Sequence, residues 1–108
     1  MILEKKELLS SVLINCLQNQ GSWIFLPAQI RIFYFNESKQ SFELLAEQLN
    51  DSNEKASVVS CQPIIITASK KIRAQKIKIV LKGIKSLPEW HAGKGQPGWL
   101  FVDEIKLY

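Results

Sequence analysis

The chain has 108 residues, 46% hydrophobic and 22% charged, a composition typical of one globular domain that spans residues 1–108. A domain of this size can form a single hydrophobic core but has few residues left to enclose a deep active site, which argues against an enzyme. Lys and Arg exceed Asp and Glu by 14 to 10, and the excess lies between Lys70 and Lys85. No apolar run approaches the roughly 20 residues that cross a bilayer, so a membrane-spanning role is excluded.

The first predicted strand covers residues 9–17, which are rich in β-forming residues. It stops at residues 19–22, where Asn, Gln, Gly and Ser favour a turn. The loop that follows carries Trp23 and closes on Pro27. We therefore expect a strand followed by an aromatic loop.

A hairpin is predicted next. Residues 30–35 alternate as a sheet strand does, with one face made by Ile30, Ile32 and Tyr34. The polar residues 36–41 connect this strand to a return strand at residues 42–45. Residues 47–57 are polar and rich in turn formers, which predicts a surface loop.

The second half of the chain predicts two further strands and one long loop. Pro63 stands at the entry of the β-branched strand 64–67, where its missing N–H does least harm. In residues 75–82, apolar residues alternate with lysines, which predicts one buried and one wet face. Residues 87–98 hold three glycines and two prolines and cannot form a regular element.

The chain ends in an apolar β-run, residues 99–108. We expect Trp99, which opens this run, to lie in the core, and we expect four side chains to be buried together: Ile77, Ile79, Phe101 and Ile105. Short strands with loops between them, and no predicted helix of ten or more residues, favour an antiparallel β-sandwich of the all-β class.

Two cysteines, Cys16 and Cys61, lack the paired spacing of a zinc site and the CxxC pattern of a redox motif. Each lies in or beside a β-like stretch, where a free cysteine behaves as a small buried hydrophobe. The alternative is one disulfide between them.

Two separated blocks carry a resemblance to a known family. Residues 17–27 read LQNQGSWIFLP, and residues 87–95 read LPEWHAGKG ahead of WLFVDEI at 99–105. This pattern resembles discoidin-type domains (coagulation-factor C-type, galactose-binding-like) at the C-terminal end of bacterial β-N-acetylhexosaminidases, or chitobiases. The resemblance covers residues 3–108 and implies an antiparallel β-sandwich of the galactose-binding-like jelly-roll type.

The chain departs from the family at its N-terminal side. Family members carry several tens of residues before the position of Leu3, including an Asp-Gly loop that supplies calcium ligands, so the sandwich looks truncated at its N-terminus. A sandwich without its first strands leaves sheet edges uncovered, and such edges tend to pair with another chain. We therefore expect a homodimer, with residues 2–9 either frayed or contributed across its two-fold axis.

The resemblance implies a non-catalytic carbohydrate-binding or accessory module of a glycoside hydrolase, with a glycan or the parent catalytic domain as partner and a periplasmic or cell-surface parent protein. The alternative is a structural docking or spacer domain without a ligand. Loops 19–26 and 89–96 would then carry the ligand-binding residues, which we predict to be Asn19, Trp23, Phe25, Trp90, His91, Lys94 and Gln96.

The aromatic loop residues also have a purely structural interpretation. Trp23 and Trp90 can offer flat apolar faces to a sugar, but a tryptophan in a Pro-flanked loop often plugs the end of a sandwich. His91, the one histidine, can bind a sugar or pin its loop to the sheet. Without a nearby nucleophile or paired carboxylates it cannot be assembled into a catalytic triad.

The carboxylates near the C-terminus predict neither catalysis nor a complete metal site. Glu104 matches a family position that contributes to a calcium ion, but calcium takes six to eight oxygens and the loop that supplies the others is missing. We therefore expect no cofactor, with Glu104 as the only candidate calcium ligand. Asp103 and Glu104 are successive strand residues that point to opposite faces, so they cannot converge on one glycosidic oxygen.

The basic segment from Lys70 to Lys85 is the basis for an alternative function, because lysines that alternate along a strand can align with the charges of a polyanion. The sequence of the segment contains no aromatic residues. Its lysines are therefore better explained as the solvent-exposed face of an amphipathic strand, and nucleic acid is not an expected partner.

Overall fold

A computed structural model describes residues 2–50 and 59–108. These residues form an all-β fold whose five strands are β1 (Ile2–Gln18), β2 (Gln29–Asn36), β3 (Ser41–Leu49), β4 (Ser60–Lys82) and β5 (Val102–Leu107). The strands pair antiparallel in the order β3-β2-β4-β1-β5, as an open sheet consistent with a β-sandwich. The predicted all-β class is confirmed, whereas the jelly-roll topology stays a prediction. No helix among the described residues is long and apolar enough to span a bilayer.

Strand β4 joins the two halves of the sheet. Its first part pairs with β1, from Gln18↔Ser60 onwards, and its last part pairs with β2, from Tyr34↔Ile77 to Gln29↔Lys82. The separate strands expected at 64–67 and 75–82 are therefore one strand of 23 residues. That expectation was wrong because residues 64–82 contain no glycine or proline to interrupt the β-forming run.

The N-terminal segment, residues 2–9, belongs to β1 and pairs within the chain. Leu8 lies opposite Arg73 and Leu9 opposite Ile72, with register irregularities on both sides of this stretch. Because β4 extends past residue 72, this segment has partners within the chain and is not a frayed edge. The homodimer itself stays a prediction.

The core lies on one face of the sheet and follows the alternation of the sequence. The buried apolar side chains include Val12, Ile14, Cys16, Ile30, Ile32, Ile66 and Ile77. Burial of each large aliphatic side chain contributes roughly 1.5–3 kcal/mol, so these rows supply most of the stabilisation of the fold. The expected face of Ile30, Ile32 and Tyr34 is confirmed, with Tyr34 packed at the margin of the core.

Two of the predicted core residues lie at the surface. Ile79 and Ile105 pack against the core as expected, but Trp99 is 68% exposed and Phe101 is 53% exposed. The prediction failed because the last strand begins only at Val102. Residues 99–101 form an irregular segment in which the strict alternation of a strand does not hold.

The β2–β3 hairpin is fixed by a polar cluster around Glu43. The Tyr34 hydroxyl donates to this carboxylate at 2.7 Å, and the Lys39 ammonium and Asn36 amide lie at 3.0 and 3.2 Å. The hydrogen bond from Tyr34, with smaller contributions from Lys39 and Asn36, lowers the pKa of Glu43 from 4.5 to about 2. Residues 47–49, expected in a loop, continue β3, while the remainder of that predicted loop, 51–57, lies outside the described residues.

The two cysteines differ in environment. Cys16 is buried in the core, whereas Cys61 is exposed, and both are free thiols. Leu17 is the partner of Cys61 in the β1–β4 register, so Cys61 shares the outward face of Leu17 and Cys16 points inward. The prediction of two buried cysteines therefore holds only for Cys16, and the alternative disulfide is not formed.

Candidate functional site: two aromatic loops

The first loop begins directly after β1 and turns within a few residues. A short 3-10 turn, Gln20–Ser22, is capped by Asn19, whose side-chain oxygen accepts a hydrogen bond from the backbone N–H of Ser22 at 3.3 Å. Asn19 and Ile24 exchange two backbone hydrogen bonds of 2.9 Å. Trp23 closes the turn in the left-handed region, at φ 66°. The loop is therefore a tight reversal that holds the Trp23 ring in one place.

The second loop, residues 84–98, is held by its own backbone. Leu87 donates to the carbonyl of Gln96 at 2.8 Å and accepts from Gly95 at 3.2 Å. Gly95 has φ +83°, a conformation that L side chains rarely adopt. Leu87 is buried beneath the loop. The glycines and prolines of this stretch thus build an ordered loop instead of a regular element.

The two loops are joined by backbone hydrogen bonds and by His91. Trp99 donates to the carbonyl of Trp23 at 2.8 Å and accepts from Phe25 at 3.2 Å. The Nδ1 atom of His91 accepts from the backbone N–H of Gly93 at 2.9 Å. Its Nε2 atom therefore carries the proton, which it donates to the carbonyl of Gln20 at 2.6 Å. The buried imidazole bridges the loops, which is the pinning role that the sequence left open.

Three rings pack around this histidine, and the four together are here called the aromatic cluster: Trp23, Phe25, Trp90 and His91. The Phe25 and His91 centroids are 5.5 Å apart, and those of Trp23 and His91 are 5.9 Å apart in an edge-on arrangement. Phe25 and Trp90 lie 6.1 Å apart with an interplanar angle of 38°. These spacings match stabilising aromatic pairs, so the cluster is a rigid plug at this end of the sheet.

Gly93 is required by the packing of the cluster. A Cβ atom at this position would lie 2.6 Å from Cζ2 of Trp23, which is closer than two non-bonded carbon atoms can approach. The Trp23 ring therefore rests directly on the Gly93 backbone. The glycine at position 93 therefore leaves the space that the Trp23 ring, from the first loop, occupies.

The predicted ligand residues divide into supporting and exposed groups. Phe25 is 1% exposed and His91 is buried, so their predicted contact with a ligand does not fit the structure and they act as supports. Trp23 is half-buried, and the side chain of Asn19 caps its own loop. The exposed members are Trp90, Lys94 and Gln96.

The carboxylates of β5 are not brought together with other potential metal ligands. Asp103 accepts a hydrogen bond from the Asn15 amide at 2.8 Å, and Glu104 lies 3.6 Å from the Lys106 ammonium. The part of the chain that the structure describes contains no group of three or more His, Cys, Asp or Glu residues placed to hold a metal ion. Glu104, the candidate calcium ligand, is here a surface carboxylate paired with a lysine.

Aromatic residues that the sequence analysis did not associate with the basic segment lie beside it. The Lys76 ammonium lies 4.9 Å from the centroid of Phe35. The Lys78 ammonium lies 5.3 Å from that of Phe33 and 5.6 Å from that of Phe42. The segment itself contains no aromatic residues, as its sequence shows, and these rings come from β2 and β3. The alternation of β2 places Phe33 and Phe35 on the face opposite Ile32, but only the β2–β4 register determines which lysines they contact.

Comparison with known proteins adds no family assignment. No protein-family model matches the chain, and no curated protein matches it significantly.

Proposed function

We propose that the chain is a non-catalytic carbohydrate-binding accessory module, of the kind attached to glycoside hydrolases such as chitobiases. The observation that carries this proposal is the position of Trp90. Trp90 is 40% exposed as a residue, while Phe25 and His91 contact its ring within the aromatic cluster. A fixed, open indole is suited to packing against the apolar C–H face of a pyranose ring.

Exposed polar side chains on the same loop as Trp90 support the same proposal. Lys94 and Gln96 are exposed on the same loop and can donate hydrogen bonds to sugar hydroxyls. The loop that presents them is held by hydrogen bonds between Leu87 and both Gln96 and Gly95, so little ordering entropy is lost on binding. An aromatic cluster with a few exposed polar groups on the same loop fits the ordinary chemistry of a small-ligand site.

The proposal excludes hydrolysis by the module. Hydrolysis requires two carboxyl groups facing one glycosidic bond, about 5–9.5 Å apart. Asp103 is bonded to Asn15 and Glu104 is paired with Lys106, and both are exposed on the open edge strand β5. We expect no turnover of a chromogenic N-acetylglucosaminide. Turnover that Glu104→Gln abolished would contradict the non-catalytic assignment.

The binding proposal is tested by titration with neutral glycans, including chitooligosaccharides and galactosides, while tryptophan fluorescence is followed. We expect Trp90→Ala to weaken binding by at least about tenfold, which corresponds to about 1.4 kcal/mol. Phe42→Ala is the matched control, because it removes an exposed ring remote from the loops. Failure of the wild-type chain to bind any glycan would favour the docking or spacer role, and unchanged binding by Trp90→Ala would place any site elsewhere.

A further inference from the structure

A second concave site lies at the opposite end of β2 from the aromatic loops. It is a groove of about 340 Å³ between the β2–β3 turn and the middle of β4, here called the β4 groove. Strand β2 is eight residues long, so about 25 Å separates the groove from the loops. The volume falls within the range of about 300–1,000 Å³ that is usual for ligand sites. The groove is therefore a site of its own and not an extension of the aromatic cluster.

The β4 groove carries an excess of positive charge. Its lining includes three cations, Lys6, Arg73 and Lys76, and one carboxylate, Glu37. Glu37 is paired with Lys6 at 3.0 Å. No ion pair within residues 2–50 and 59–108 involves Arg73 or Lys76. Two cations consequently face the groove without a carboxylate partner, which favours an anionic ligand.

The cations next to the groove are held by aromatic rings. Lys76 is positioned over Phe35, which also lines the groove, and Lys78 continues the row over Phe33. An ammonium group in such a position gains roughly 0.5–1 kcal/mol at an exposed site. The lysines are therefore partly ordered before a ligand arrives, which reduces the entropy cost of binding.

The same contacts argue against nucleic acid. Proteins that bind single strands offer open ring faces on which bases stack. Here the rings of Phe33 and Phe35 already carry lysine ammonium groups. Neutral polar groups line the groove instead, and Gln75 is fixed among them by hydrogen bonds to the backbone carbonyls of Leu3 and Glu4 at 2.9 and 3.3 Å. Such groups suit a hydroxyl-rich ligand.

We infer that the β4 groove binds the carboxylate or sulfate groups of an anionic polysaccharide, with Arg73 and Lys76 as the pairing residues. The inference rests on the proposed function for the class of ligand and adds a second site, selective for acidic glycans. Arg73 can pair with a carboxylate or sulfate group through two parallel hydrogen bonds, and Lys76, three residues further along β4, supplies a second charge. The lysines further along β4 then extend the positive charge beyond the groove, along the bound polymer.

The test compares two double variants that remove the same charge from β4. Arg73→Gln/Lys76→Gln alters the groove, and Lys70→Gln/Lys71→Gln alters exposed lysines of the same strand that do not line it. Binding of heparin and of polygalacturonate is measured at about 0.15 M salt, where long-range attraction is screened. We expect the groove variant to bind at least about tenfold more weakly and the control to change by less than about threefold.

Three outcomes would overturn the inference. They are no binding of either polysaccharide by the wild-type chain, equal losses in both double variants, and binding of oligothymidylate as tight as that of the polysaccharides. Circular dichroism and thermal unfolding of each variant confirm that it is folded. Neutral-glycan binding should depend on Trp90 and be unchanged in the groove variant, so failure of the groove proposal and failure of the module proposal give different results.

Discussion

His91→Ala tests whether one imidazole holds the two loops together. The substitution removes the donor to the Gln20 carbonyl and the acceptor for the Gly93 N–H, whose hydrogen bonds are 2.6 and 2.9 Å long. The Gly93 N–H left without a partner costs about 1–3 kcal/mol, whereas the Gln20 carbonyl keeps its hydrogen bond from the Trp23 N–H at 3.0 Å and loses about 0.5–1.5 kcal/mol. Loss of the ring from among Trp23, Phe25 and Trp90 adds a cavity term. We expect a total loss of about 3–5 kcal/mol in the free energy of unfolding.

The assay is urea unfolding followed by tryptophan fluorescence. A slope of about 1–3 kcal/mol per molar converts the expected loss into a midpoint shift of roughly 2 M. Lys94→Ala is the matched control, because it truncates an exposed side chain of the same loop and should change stability by no more than about 0.5 kcal/mol. If His91→Ala lost less than about 1 kcal/mol, the loops would be held by their backbone hydrogen bonds alone, and the pinning role of the imidazole would be refuted.

Two further predictions concern the hairpin and the cysteines. Because the pKa of Glu43 in the folded chain is lowered to about 2, its stabilising effect is complete above its ordinary pKa of 4.5 and is lost as the pH falls towards 2. The stability difference between wild type and Glu43→Gln, followed by thermal unfolding, should therefore shrink over that interval. Glu37→Gln is the control, and a difference that stayed constant with pH would contradict the assignment. A thiol reagent should modify exposed Cys61 before buried Cys16, because burial, reinforced by Asp103, raises the pKa of the Cys16 thiol. Mass spectrometry of the first adduct identifies which cysteine reacts first. Equal rates at the two cysteines would show that the core opens readily.

Period-two alternation was sufficient to predict the inward face of β2, because Ile30 and Ile32 are two residues apart on one strand and both are buried. It did not predict that β4 is continuous, since the polar residues around Lys70 resemble a break, whereas β4 pairs with β1 on both sides of them, at Thr67 and at Ile72. It also could not predict that Trp99 is exposed. That exposure depends on where β5 begins, which is set by contacts with a distant strand.

In the candidate sites, too, some features could be predicted from the sequence and others depend on tertiary contacts. The tryptophan loops were recognisable from composition, because clustered Gly, Pro and aromatic residues mark a structured loop. The support of Trp90 by Phe25 was not recognisable, because these residues meet only when two loops far apart in the chain are joined. The contacts of Lys76 and Lys78 with phenylalanines likewise arise from register between strands. Sequence patterns locate the residues, and tertiary pairing determines which of them touch.

The position of β4 in the middle of the sheet has a consequence for how the chain folds. The β2–β3 hairpin is local and can form early, but β1 must find β4 across half of the sequence, and Val12 pairs with Leu107 at the other end of the chain. Chains dominated by such distant pairings fold on the millisecond-to-second scale, because the entropy of closing large loops is lost before the contacts form. We therefore expect slow refolding, limited by the pairing of β1 with β4 and β5.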